Sequence, residues 1–170
     1  MAEMRDAMRN AGYRESKAPR SSSGGRSGPG AGQRLAPIFK DYVPSGYPRY
    51  FTDDGFTRVE LVQDEAQRIA SCFRDDNLTR HQLRAFYDHA KKQLQRLDYG
   101  APFGRIHPEI ARLKAIAADR ARRANNPLPN SFKEFLDRNV DAVKDEKTFR
   151  SGFMPHFEAV VAYCAILRER

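Results

Sequence analysis

The chain has 170 residues, enough for one ordinary domain with a buried core, and its 30 Lys+Arg against 22 Asp+Glu give a formal charge of +8. That surplus suits a polyanion, either nucleic acid or an anionic membrane surface. No apolar run approaches the ~20 residues that cross a bilayer, and the first residues lack an apolar signal segment, which sets the membrane-spanning and exported classes aside. Cys72 and Cys164 lie far apart, each within an apolar helical period, and read as small core hydrophobes. The expected setting is therefore reducing and cytoplasmic; charge alone does not choose between the two polyanions, and no membrane partner is expected.

Residues 1–33 are poor in large apolar side chains and contain the run SSSGGRSGPGAG (Ser21–Gly32), which cannot offset its ordering entropy. They are expected to form a disordered basic tail. Up to Tyr50 there are nine Lys/Arg and four acids, so more than half of the surplus lies before the main body of the chain. Residues 34–57, with Pro37, Pro44, Pro48 and several aromatics, read as a connector without helical period. Residues 58–170 read as a helical bundle domain.

Within that domain Val59, Val62, Ala66, Ile69, Ala70 and Phe73 recur at helical spacing, and Asp75, Asp76 and Asn77 end the element. Thr79 with Gln82 forms a capping box and starts a second helix. Gly100, Pro102 and Gly104 mark its exit, and Pro108 suits the first turn of a third helix running to about Ala124. Ser131 with Glu134 predicts another capping box ahead of Phe132, Phe135, Leu136, Val140 and Val143. A last stripe runs through Phe149, Phe153, Phe157, Val160, Cys164 and Leu167, with an interruption expected at or just before Pro155. No segment alternates with a period of two. The fold class is all-α, a compact bundle of about five helices behind a disordered basic N-terminal tail.

The stretch DNLTRHQLRAFYDHAKKQLQRL (Asp76–Leu97) carries five Lys/Arg and, after Asp76, one acid. Turned at about 100° per residue, Leu83, Phe86, Tyr87, Ala90, Leu94 and Leu97 form its core stripe, while Arg80, Arg84 and Lys91 fall within about 40° of one another. Lys92 and Arg96 lie further round, and Asp88 is spaced to pair with Arg84 or Lys92. The next helix buries Ile106, Ile110, Leu113, Ala117, Ala121 and Ala124 and carries a ridge of Arg112, Arg120 and Arg123. Antiparallel neighbours would let two basic flanks border one groove. A charged helix face taken alone is more often merely solvated; two adjacent ones put that reading level with phosphate contact, for which guanidinium geometry is suited.

NLTRHQLRAFYDHAKK (Asn77–Lys92), followed by TFRSGFMPHFEAVVAYCAIL (Thr148–Leu167), resembles the small helical subunit of type III-A CRISPR effector complexes, the Csm complexes. The first block resembles that family's LT-x-x-QLR-x-FY signature through Leu78, Thr79, Gln82, Leu83, Arg84, Phe86 and Tyr87. The second resembles its closing F-E-A-x-V-A-Y through Phe157, Glu158, Ala159, Val161, Ala162 and Tyr163. The resemblance covers about Val59 to the C-terminus. It implies a non-catalytic bundle, present in several copies along the duplex of guide RNA and target RNA. It would lie beside the backbone subunits and under the large multidomain subunit, touching sugar and phosphate without reading sequence. On that resemblance Arg84 is the best-matched RNA contact, with Lys91 and Lys92 close behind; Arg112, Arg120, Arg122 and Arg123 correspond by helix rather than by residue, and Arg80 joins the RNA-binding candidates from its place beside Arg84 and Lys91 on the helix. Pro155 and the long Gly/Ser/Arg tail depart from the family pattern.

Other chemistry finds little purchase. His81, His89, His107 and His156 are too dispersed for a metal site and are expected to be solvated or partner-facing. Asp53–Asp54 and Asp75–Asp76 sit where capping favours Asp, and no phosphate loop, dinucleotide turn or nucleophile elbow occurs. No enzyme, cofactor or metal is expected. The alternatives are a DNA-binding helical transcriptional regulator, disfavoured by a link read as Asp98–His107, longer than a helix-turn-helix allows, and a basic protein–protein adaptor without nucleic acid.

Overall fold

The computed structural model describes residues 37–42 and 46–166; the tail expected over 1–33 lies outside them. The elements are a 3₁₀ segment Pro37–Tyr42, α1 (Val59–Val62), α2 (Asp64–Asp75), α3 (Arg80–Asp98), α4 (Phe103–Ala121), α5 (Asn130–Ala142), a π-helical turn Thr148–Phe153, and α6 (Met154–Ile166). No strand forms among the described residues, and a single antiparallel bridge joins Phe51 to Thr57. The all-α class and the bundle of five longer helices follow the apolar periodicity.

The first apolar stripe is broken in two. Gln63 leaves helical geometry (φ −117°, ψ −96°), so α1 is a single turn. The break swings Val59 outward, 57 % exposed, and brings Leu61 fully inside, where the sequence had pointed to Val59. α2 ends at Asp75, and Asn77 takes a positive φ of 60° while Leu78 N–H donates to the Phe73 carbonyl at 2.8 Å. That closes the helix by a Schellman-type return, and asparagine tolerates the left-handed position it requires.

α3 begins with the expected box: Thr79 Oγ1 accepts from Gln82 N–H, and Gln82 Oε1 accepts from Thr79 N–H at 3.0 Å. Gly100 turns the chain at φ +86°, a left-handed position after the helix end that favours glycine. α4 then starts at Phe103, not at Pro108, and stops at Ala121, leaving Ala124 outside the helix and exposed. Pro108 lies one turn and a half inside α4, and the α3–α4 link shrinks to Tyr99–Pro102. α5 also starts two residues earlier than a Ser131 cap would allow. Pro129 takes the cap position, Ser131 is helical, and Glu134 pairs with Arg138 instead.

Phe73, Phe86, Phe132, Phe135, Phe153 and Phe157 meet in mutual ring contacts at the centre of the bundle. The N-terminal connector enters this interior: Phe39 and Tyr42 are fully buried and Tyr50 nearly so. Tyr50 rides directly over Gly152 of the π turn, where a Cβ would come within 2.5 Å of the ring. The change in winding falls just before Pro155. Proline offers no N–H to the Ser151 carbonyl four residues earlier, and the Thr57 hydroxyl donates to that carbonyl at 3.0 Å.

His156, expected at a surface, is instead buried in a continuous polar chain. Tyr50 OH donates to Asn139 Oδ1 (2.9 Å), Asn139 Nδ2–H donates to Tyr42 OH (2.8 Å), and Tyr42 OH meets His156 Nε2 (2.6 Å). His156 Nδ1 reaches the Leu61 carbonyl, which makes Nδ1 the protonated nitrogen and Nε2 the acceptor. Burial pushes this imidazole down to about 4 and raises the Tyr42 and Tyr50 hydroxyls well above their ordinary values.

Candidate nucleic-acid interface

The start of α3 is densely occupied with structural work. Leu78, Leu83 and Phe86 are buried in the core. Thr79 caps, and Gln82 both completes the cap and donates through Nε2 to the Asn126 and Pro127 carbonyls (3.0 and 3.3 Å), tying α3 to the α4–α5 link. Tyr87 stacks edge-on against Phe157 (5.5 Å between centroids, 89°) and donates its hydroxyl to Glu158 Oε1 at 3.1 Å. Arg84 alone among these seven residues is exposed, with no ion pair or side-chain hydrogen bond among the described residues. The pairing with Asp88 that i, i+4 spacing allowed does not form.

The eight cations singled out in the sequence divide into two groups. Arg80, Arg84, Lys92 and Arg122 are exposed and carry no side-chain partner among the described residues. The other four are engaged. Lys91 Nζ donates to Tyr87 OH (3.2 Å) and lies 3.8 Å from Glu158 Oε1; the Tyr87 hydroxyl first, and then the Glu158 charge, raise its pKa. Arg112 pairs with Glu109 at 3.3 Å and Arg123 with Asp119 at 2.8 Å. The Arg120 guanidinium lies 5.0 Å from the Phe86 ring centroid, a cation–π contact that partly buries it.

α3 is antiparallel to both of its neighbours. Towards α4 and the link beyond it, Gln82 meets Asn126 and Pro127, Phe86 meets Arg120, and His89 Nε2 meets the Glu109 carbonyl at 3.0 Å, so residue numbers rise on one side and fall on the other. Towards α6, Leu83 and Arg84 line a shallow groove with Val161, Cys164 and Ala165, while Tyr87 meets Phe157 and Glu158. Arg80 completes the rim of that groove. The Arg80/Arg84/Lys91 ridge therefore borders α6. It does not share a groove with the arginines of α4, as the two basic flanks had suggested.

The short Tyr99–Pro102 link removes loop length as an argument against a helix-turn-helix. Side-by-side contact along 19-residue helices replaces it, because that motif crosses its two helices steeply. Arg80, Arg84 and Arg122 belong to one end of the bundle, where α3 starts and α4 stops. At the other end of α3 the charges are neutralised: Asp98 pairs with Arg150, which also pairs with Glu146.

Two parts of this region escaped the sequence reading. The apolar floor of the groove, Val161 and Ala165, lies off the buried stripe of α6. The Tyr87–Glu158–Lys91 cluster joins positions 71 residues apart. Its signal was present, since Tyr87 and Glu158 belong to the two motif blocks, but nothing in linear spacing brings those blocks together. Among the described residues no three His, Cys, Asp or Glu side chains gather as a metal site, and no helix is long and apolar enough to cross a membrane.

The described residues form an all-helical bundle, with Arg80, Arg84 and Lys92 on α3 and Arg122 just beyond α4 exposed and without side-chain partners. The family model Csm2 Type III-A matches residues 57–169, and the chain belongs to that family: it is a small Csm subunit of type III-A CRISPR effector complexes. It accordingly assembles with other Csm subunits. No curated protein and no solved structure matches the chain.

Proposed function

We propose that this chain is a non-catalytic, RNA-binding assembly subunit that holds the duplex of guide RNA and target RNA through its sugar–phosphate backbone, in the cytoplasm, beside further copies of itself, the backbone subunits and the large multidomain subunit. The observation that carries the reading is Arg84. Every other matched residue of the Leu78–Tyr87 motif is spent on the core, the cap or the α6 contact, and Arg84 is exposed and unpaired. Arg80, Lys92 and Arg122 extend the same unpaired positive charge. Lys91, Arg112, Arg120 and Arg123 stand behind them, each already engaged within the chain.

Free guanidinium groups exchange condensed counterions for phosphates, which gives affinity without sequence discrimination. Arg84→Ala is expected to lower the slope of log affinity against log salt by about 0.9 for duplexes of unrelated sequence. Its stability should stay within about 0.5 kcal/mol of the parent, because the side chain has no partner to lose. Binding of reconstituted complexes at several salt concentrations checks both. An unchanged slope for Arg80→Ala/Arg84→Ala together would return this face to a merely solvated one.

A further inference from the structure

Glu158 stands out because it is an acid in the middle of a cationic ridge. It is on α6, one helical turn from the groove floor, 63 % exposed, and its Oε1 takes both the Tyr87 hydroxyl at 3.1 Å and the Lys91 ammonium at 3.8 Å. Tyr87 is the hinge of the cluster: it donates to Glu158, accepts from Lys91, and its ring lies 5.4 Å under the Lys91 nitrogen. Lys91 is thus held against α6 with its charge balanced. A phosphate approaching Lys91 meets a carboxylate already there.

We infer that Glu158 acts as a brake on RNA binding, keeping Lys91 in an internal ion pair and so limiting the number of phosphates this face neutralises. The inference rests on the RNA-binding reading above. A partner-facing explanation of Glu158 would leave its Lys91 contact incidental, but both side chains converge on one tyrosine oxygen, which links the solvent-exposed pair to the α3–α6 contact. The Tyr87 bond does not need the charge: a glutamine at 158 still offers Oε1 to the hydroxyl, so Glu158→Gln removes the charge and leaves the α3–α6 contact in place. With the brake gone, Lys91 joins Arg84 as a phosphate ligand.

The test uses the full chain and a short RNA duplex of arbitrary sequence, titrated between about 50 and about 200 mM salt. Glu158→Gln is expected to bind more tightly at low salt, with a slope steeper by about 0.9, so that its affinity falls about 3.5-fold further than the parent's across that range. The gain is expected to vanish in Glu158→Gln/Lys91→Ala. A gain that survives the loss of Lys91 would mean that Glu158 repels RNA directly, and would overturn the ion-pair route. Arg84→Ala separates the two levels of argument. If it lowers the slope while Glu158→Gln changes nothing, the brake is wrong and the RNA reading stands. If neither variant moves the slope, both fall.

Discussion

His156 shows how a titratable side chain becomes a pH-dependent element of stability. Every polar atom in its chain has a partner, from Tyr50 through Asn139 and Tyr42 to the imidazole and on to the Leu61 carbonyl. The fold accepts only the neutral ring, and burial holds its pKa at about 4 against an ordinary 6.5. Below about pH 6.5 the unfolded chain takes up a proton that the folded chain refuses, so stability is full above that pH and declines as pH falls towards 4. The depressed pKa corresponds to roughly 3 kcal/mol across that window. Urea denaturation at about pH 7 and about pH 5 should show this decline in the parent. His156→Gln should be less stable at neutral pH yet flatter between the two. An equally steep decline in the variant would move the effect to the carboxylates. The histidine's role was not legible from the sequence, since one His in a helical stripe looks the same whether it faces solvent or closes a hydrogen-bond chain to residues 95 and 114 positions away.

At the scale of elements, the regular parts were legible and the joints were not. Apolar periodicity located α3 and the buried positions of α5, and the Thr79–Gln82 box marked a real helix start. Pro108 misled because proline is favoured in a first turn, whereas here Pro102 and Phe103 had already begun the helix. Ser131 misled in the same way, its capping position taken by Pro129. The basic face was legible as composition, but which cations are spent internally depends on pairings such as Lys91–Glu158 that only packing reveals. The π turn is the most consequential joint. Gly152 within it lets the Tyr50 ring lie against the backbone, and Gly152→Ala would drive a methyl into that ring at 2.5 Å. The expected cost is about 1–3 kcal/mol by chemical denaturation. Most of it should disappear in a Tyr50→Ala background, where the colliding ring is gone. Additive losses would show that the glycine is needed for the turn itself.

On the whole molecule, the family match begins at residue 57, yet the interior does not. Phe39, Tyr42 and Tyr50 fill space between α2, α5 and α6, and the Tyr42 hydroxyl makes the hydrogen bond to His156 Nε2. A fragment of residues 57–170 would expose the faces of Gly152 and His156 that these rings cover. It is expected to melt well below the full chain and to bind a hydrophobic dye; superimposable melting curves would overturn this. On that expectation the border of the family match and the border of autonomous folding fall at different places in one polypeptide. A relative lacking equivalents of Tyr42 and Tyr50 would have to plug the same hole with another segment or with a neighbouring chain.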